Sequence, residues 1–314
     1  MSRPSLSVIL PVYNGAEFLD EALGSVRRQT FDDLELIAID DGSTDASTAI
    51  LARHAAADPR LRLAARPHQG IEAALNHGLA LAAAPLVAVM NADDVARPDR
   101  LARQAAFLEA EPGVAAISGA LEWIDPAGRP FRVSRPPTAP AEIRETLRRT
   151  NCMAHPAVML RREAVLALGG YRTGFAYAED YDLWLRLAER WDLANLPEVV
   201  LAYRCHPAGI SLPKARQQIL SDLGVRLAAG RRAAGLPEAL PLRFDRAALL
   251  AAGLDAATID RQLRKRLMAA ARLARRLGAA ATARELVAEA TAAARRQGLG
   301  ASIDLLGRRL RARL

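Results

Sequence analysis

Cysteine is nearly absent: the 314 residues hold two, Cys152 and Cys205. That excludes a disulfide scaffold and a Cys-based zinc module, and it suits a reducing compartment. Long apolar runs are missing too. The longest, Leu79 to Met90, has 12 residues and contains Pro85, whereas a membrane-spanning helix needs about 20. The N-terminus, Met1-Ser2-Arg3-Pro4, passes into a strand-like stretch without the apolar core of a secretory signal. No Gly-x-Gly-x-x-Gly loop occurs, which argues against a nicotinamide dehydrogenase. Aromatic residues are 4% of the chain, and beyond residue 212 Phe244 stands alone. Base stacking needs aromatic faces, so a nucleic-acid partner is not expected. What is present is a chain 51% hydrophobic and 25% charged. It can bury a sizeable core, and its length suggests two domains, or one with an extension.

The net charge of +8 is unevenly spread. Residues 1–212 carry 22 Lys+Arg against 27 Asp+Glu, and residues 213–314 carry 21 against 8. A mildly acidic first part is thus joined to a strongly basic second one. The asymmetry fits either a polyanionic partner, such as a membrane surface, or the solvated face of an Arg-rich helical protein.

Strand and helix patterns alternate through the first part. Leu6–Leu10, Leu34–Ile39, Leu61–Leu63, Pro85–Met90 and Val114–Ile117 read as strands. Helical spacing separates them, including 46–57, 70–83 and 98–111. Strands separated by helices indicate a mainly parallel sheet covered on both faces. Ligands of such sheets bind beyond the carboxyl ends of the strands. The clusters Tyr13-Asn14, Asp40-Asp41 and Asp93-Asp94 fall at those ends. Residues 120–212 are less regular. A Pro-rich loop or hairpin spans Pro126–Pro140, Ala157–Leu160 is strand-like, Glu179–Trp191 reads as a helix and Val199–Tyr203 as a strand. From Leu212 onward four to five helices are expected, with stripes at Leu263, Leu267, Ala270, Ala274 and at Ile303, Leu306, Leu310, Leu314.

The acidic clusters carry the chemistry. Asp93 and Asp94 repel each other when both are ionised, unless a cation such as Mg²⁺ or Mn²⁺ intervenes. They also suit a helix-capping turn. Asp45 reads as a cap, while Asp40 or Asp41 suits a nucleobase or ribose contact. Asp180 reads either as a helix cap or as a general base. His206 and His155 stay ambiguous, and His54, His68 and His77 show no metal spacing.

Taken in order, these pieces resemble the family 2 glycosyltransferases. The run Ser7-Val8-Ile9-Leu10-Pro11-Val12-Tyr13-Asn14 is similar to the family's opening, followed by Gln29-Thr30-Phe31, Glu35-Leu36 and Asp40-Asp41-Gly42-Ser43-Thr44-Asp45. Asn76 with Gly78, Asn91-Ala92-Asp93-Asp94, Pro98-Asp99-Arg100-Leu101, Gly169-Gly170-Tyr171 and Glu179-Asp180-Tyr181-Asp182-Leu183-Trp184 continue the pattern. Each is weak alone. The ordered set is specific, covers about residues 5–212 and stops there.

The resemblance implies an α/β GT-A fold with a nucleotide-sugar-binding sheet domain over 1–212, and the Ala-, Leu- and Arg-rich pattern beyond it makes 213–314 a basic helical extension. It implies an inverting enzyme with a Mg²⁺ or Mn²⁺ cofactor. Pro11, Tyr13, Asn14, Asp40, Asp41, Asn76, Asn91 and Asp93 are then expected at the nucleotide sugar. Asp93, Asp94 and His206 are expected at the metal, and Asp180 as the general base. His155, Glu179 and Trp184 are placed on the acceptor side. Two departures stand out: Asn91 replaces the first acidic residue of the D-x-D element, and His68-Gln69-Gly70 stands where the family often has Asn before Gly. The implied donor is a UDP-sugar, and the implied acceptor is a saccharide or a lipid-linked saccharide of the cell envelope. The location implied is cytoplasmic, peripheral on the inner face of the membrane through the basic tail. The alternative is a catalytically idle nucleotide-sugar-binding module whose helical tail is the working part.

Overall fold

The computed structural model describes residues 4–238 and 244–297. Two compact units make up the chain: Met1–Thr173 with Asp180–Arg204, and Gly174–Glu179 with Cys205–Leu314. The first is built on a nine-stranded sheet whose order is β3-β2-β1-β4-β8-β6-β9-β5, with β7 on β6. These strands are β1 Leu6–Val12, β2 Leu34–Asp40, β3 Leu61–Ala65, β4 Leu86–Val89, β5 Val95–Ala96, β6 Val114–Ile124, β7 Pro130–Val133, β8 Met159–Arg161 and β9 Asp192–Arg204.

The expected parallel block is β3-β2-β1-β4. Both faces of β1 and β2 are covered, every residue of each being buried. This is why they read as unbroken apolar runs rather than alternating ones. Helices α1 (Ala16–Arg27), α2 (Ser47–Ala57) and α3 (Ile71–Leu81) connect them. Strand β1 continues through Pro11, past its expected end. Beyond Ile9 it pairs only with β2, so a residue without an N–H is tolerated there. The other half of the sheet is mixed: β8 is antiparallel to β4 and β6, β5 is antiparallel to β9, and β6 and β9 run parallel.

Strand β9 begins seven residues earlier than its apolar pattern indicates. Its pairing with β6 steps from Gly119↔Leu196 to Ala120↔Val199, so Pro197 and Glu198 bulge out. That bulge breaks the alternation that would reveal the strand. Helix α4 (Arg100–Ala110) follows the Pro98-Asp99 start. The Pro-rich stretch holds β7 and then α5 (Pro140–Leu147), with Pro at the helix start. After β8 come α6 (Arg162–Ala167) and α7 (Glu179–Leu187). Helix α7 ends one turn earlier than expected, in a turn closed by Trp191 N–H on the Leu187 carbonyl.

The second unit is helical. It contains α8 (Ala215–Ala233), α9 (Arg246–Ala251), α10 (Ala256–Arg276) and α11 (Ala280–Arg296). Asp245 and Asp255 cap α9 and α10, accepting from Ala248 N and Thr258 N at 2.7 and 2.8 Å. The α10 stripe is Ile259, Leu263, Leu267, Ala271 and Ala274, with Ala271 in place of the expected Ala270. Helices α10 and α11 form a hairpin, its open end tied by Arg296 to Asp260 at 2.8 Å. A Cβ at Gly224 would lie 2.3 Å from the Phe244 ring, so only glycine lets that aromatic press on α8. No described helix is long and apolar enough to cross a membrane. The stripe at Ile303, Leu306, Leu310 and Leu314 lies outside the described residues.

Candidate active site

The carboxyl ends of β1, β2 and β4 bring three polar loops together. Asp41 N–H donates to the Val12 carbonyl at 2.8 Å, extending the β1–β2 pairing by a residue. Asn14, at φ 51°, accepts from Thr44 N at 2.8 Å and donates its own N–H to Ser43 Oγ at 3.1 Å. Asn tolerates this left-handed backbone better than most residues. Asp40 accepts from Ser43 N at 2.9 Å and Thr48 Oγ1 at 2.7 Å. Burial opposes its charge, but the Thr48 and Ser43 donors outweigh it and hold the carboxyl below its ordinary value. Pro11 is buried within β1, while Tyr13 is exposed at the rim.

Asp41 is 3% exposed. Its carboxylate meets the 66–70 loop: Arg66 Nε at 3.2 Å, His68 Nδ1 at 2.9 Å and the Gly70 N–H at 2.9 Å. The His68 ring stacks on Tyr13 with centroids 3.9 Å apart and planes 20° from parallel. An aromatic shelf therefore stands beside a fixed carboxylate, a combination suited to a nucleobase.

The third loop follows β4. A Cβ on Gly15 would approach Ala92 Cβ to 3.1 Å, so Asn14-Gly15 and Asn91–Asp94 are neighbours. Asp94 is fully buried and accepts the Arg204 N–H on Oδ1 at 2.8 Å, whereas its Oδ2 has no hydrogen bond. Burial, and then the Asp93 charge, push the Asp94 carboxyl well above its ordinary value. The Arg204 N–H, Asn91 and Arg100 oppose that shift. Arg100 is itself buried, its pKa lowered to about 9 by burial, and Nη2 donates to Val89 O at 2.8 Å and Val158 O at 3.3 Å. Adjacent carboxylates with one orphaned buried oxygen form the arrangement a hard dication relieves. Among the described residues no three His, Cys, Asp or Glu side chains converge on one point. Mg²⁺ commonly takes one or two carboxylates, with phosphate oxygens and water completing its shell, and the Asp93–Asp94 pair fits that demand.

A second cluster lies alongside, where Val89 N–H donates to Val158 O at 3.0 Å. Asp180, in the first turn of α7, accepts from Asn151 Nδ2 at 2.9 Å and from Tyr181 N at 2.6 Å. One turn on, Trp184 is fully buried with its indole N–H unbonded, 6.1 Å from the His155 ring. His155 Nε2 shares a hydrogen bond with the Tyr171 hydroxyl at 2.9 Å, and burial pushes its pKa down to about 4. Its imidazole is therefore neutral at pH 7. Asn76 spends its carboxamide on the Tyr171 backbone, accepting from N at 2.9 Å and donating to O at 2.7 Å. Gly170, at φ +76°, makes room: a Cβ there would lie 2.5 Å from Asn76 Oδ1. Helix α7 is anchored through Tyr181 to the Leu147 carbonyl, through Asp182 to Arg172 Nε at 2.9 Å, and through Arg186 to the Leu168 and Gly170 carbonyls at 3.0 and 2.8 Å.

Two groupings result. Pro11, Tyr13, Asn14, Asp40, Asp41, Asn91, Asp93 and Asp94 gather at the strand ends. Asp180, His155, Trp184 and Asn76 gather round Tyr171 and α7. Glu179 and His206 belong to the second unit. Sequence reasoning missed Asn151, a single Asn with no spacing signal. It also assigned no role to Arg204, and His68 entered only as lacking metal spacing and as a departure.

A parallel sheet with a carboxylate pair at its carboxyl edge, extended by antiparallel strands, is the layout of a GT-A fold. The family description "Glycosyl transferase family 2" matches residues 7–169, more than half of the chain, and the chain belongs to that family. The amylovoran biosynthesis glycosyltransferase AmsE of Erwinia amylovora is 32% identical over 202 residues, 63% of this chain and 75% of that protein. The O-antigen biosynthesis glycosyltransferase WbnJ of Escherichia coli is 31% identical over 207 residues, 64% and 80% of the two chains. The mannosyltransferase PcManGT of Pyrobaculum calidifontis, solved with GDP-Man and Mn²⁺, shares the fold. Its TM-score is 0.57 at 23% identity, over 97% of this chain and 81% of that one.

Proposed function

We propose that the protein is an inverting glycosyltransferase. It moves a sugar from a nucleoside-diphosphate donor, a UDP-sugar on the family's pattern, to a hydroxyl of a saccharide or glycolipid in cell-envelope polysaccharide synthesis. The reading is carried by the meeting of the Tyr13-Asn14, Asp40-Asp41 and Asn91–Asp94 loops beside a cluster that holds Asp180. The roles that AmsE and WbnJ are named for support the acceptor class. The catalytic part is assigned to 1–212, and 213–314 to an extension whose exposed Arg261, Lys265, Arg272, Arg276 and Arg284 suit an anionic membrane surface.

Tyr13 offers its ring to the base, Asp40 and Asp41 fix the loop below it, and Asn91 reaches the ribose side. Asp93, with Asp94 as a further candidate, would hold a Mg²⁺ or Mn²⁺ ion, which would supply charge to offset that growing on the leaving diphosphate. Asp180 takes the proton of the acceptor hydroxyl. That oxygen bonds to the anomeric carbon as the opposite bond to the diphosphate oxygen breaks, so the configuration inverts. A positioned base contributes about 10²–10⁴-fold. The test is nucleoside-diphosphate release from a panel of UDP- and GDP-sugars, with Mn²⁺ or with EDTA. EDTA, Asp93→Ala and Asp180→Asn are each expected to reduce release at least about 100-fold. Full transfer by both variants removes the assignment, and donor binding without turnover on any acceptor favours the idle module.

A further inference from the structure

The Asn91–Asp94 loop has an anchor of its own at the end of β9. We propose that Arg204 is a positioning residue for the metal loop: it pins the loop so that Asp93 is left as the ion's ligand and Asp94 becomes its buried support. This rests on the metal reading above. The Arg204 side chain is 2% exposed. Its main-chain N–H occupies Asp94 Oδ1, and Nε donates to the Asp93 carbonyl at 2.9 Å. Nη1 donates to the Pro126 carbonyl at 2.9 Å, Nη2 pairs with Glu21 of α1, and the guanidinium lies 4.6 Å over the Phe18 ring. The loop's exit is paired to the same strand, Val95 opposite Ala202 and Ala96 opposite Leu201. A single side chain thus joins α1, the turn after β6 and the Asp93 carbonyl, while the main chain of the same residue holds Asp94.

The chemistry requires arginine. A buried cation is costly unless it is paired and its donors are filled. Here Glu21 supplies the charge, two carbonyls supply acceptors, and the planar fork reaches all three at once. The ammonium of lysine is a point donor and cannot span them. Groups that orient metal ligands in this way typically account for about 10–100-fold in metal affinity.

The experiment is a Mn²⁺ titration of the full chain followed by EPR, in the presence of UDP or GDP. It compares wild type, Arg204→Lys, Glu21→Gln and Arg186→Lys. Arg186 is a control of like burial and partners. It donates to the Leu168 and Gly170 carbonyls at 3.0 and 2.8 Å, away from the carboxylate loop. Arg204→Lys and Glu21→Gln are expected to weaken Mn²⁺ binding about tenfold or more. Arg186→Lys is expected to lower the melting temperature while leaving the Mn²⁺ affinity within about threefold. Glu21 is a half-exposed carboxylate, so its variant remains readable where Arg204→Lys does not fold. Wild-type affinity in the Arg204 and Glu21 variants overturns the proposal, and so does an equal loss in Arg186→Lys. A wild-type protein that binds no Mn²⁺ with either nucleotide overturns the metal reading first and this inference with it.

Discussion

Replacing Asn151 tests whether the base is oriented by its neighbour. The Asp180 carboxylate has two described anchors, Asn151 Nδ2 on Oδ2 at 2.9 Å and the Tyr181 N–H on Oδ1 at 2.6 Å. Asn151→Ala removes the first and with it the bond that orients Oδ2. A hydrogen bond to a charged group contributes about 1.5–3 kcal/mol. If that is fully expressed in the transition state, the loss is about 10–150-fold in kcat. Asn151 Oδ1 also accepts the Met153 N–H at 3.1 Å, so Asn151→Asp provides a second variant. It keeps this local turn but sets a carboxylate against a carboxylate, and it is expected to be at least as damaging. The assay is nucleoside-diphosphate release at saturating donor and acceptor, with KM for the donor measured alongside. A fall in kcat with donor KM little changed is expected. In the Asp180→Asn background the further loss from Asn151→Ala shrinks to less than about threefold, because the two residues act as one unit. A single variant within about twofold of wild type refutes the reasoning, as does a double variant whose losses simply multiply.

Two further outcomes follow from geometry and burial. His155 stays unprotonated in the folded chain down to about pH 4, against an ordinary value of 6.5. Between those values the unfolded chain binds the extra proton, so stability is full above pH 6.5 and falls as the pH drops toward 4. The loss is at most about 3 kcal/mol. Urea unfolding at pH 7 and 4.5 should show a smaller difference for His155→Gln than for wild type, and an unchanged difference refutes the assignment. For the basic extension, flotation with anionic vesicles should exceed flotation with neutral ones and weaken as salt rises. Equal flotation on both removes the membrane role.

Much of the parallel half was legible because burial on both faces writes strands such as Leu34–Ile39 as plain apolar runs, each stopped by a polar cluster. The polar clusters marked the candidate site because they fall where these apolar strand runs stop. Legibility failed where pairing is irregular or local pattern is silent. Strand β5 is two residues long and exists only because Val95 and Ala96 meet β9. The early half of β9 was hidden by its bulge at Pro197-Glu198. Helix α5 begins inside a proline-rich stretch that reads as loop. Asn151 and Arg204 act through tertiary contacts to residues 29 and 183 positions away, and no spacing rule reaches that far.

Helix α7 has a practical consequence for anyone who would alter the enzyme's choice of donor nucleotide. Asp180 rides on a helix fastened at Leu147, Leu168 and Gly170, whereas the shelf proposed for the base is an aromatic pair on two turns, Tyr13 and His68. Swapping residues in the 66–70 loop is therefore a route to new donor preferences in which the proton acceptor keeps its aim. Laboratory evolution should begin there rather than on the helix.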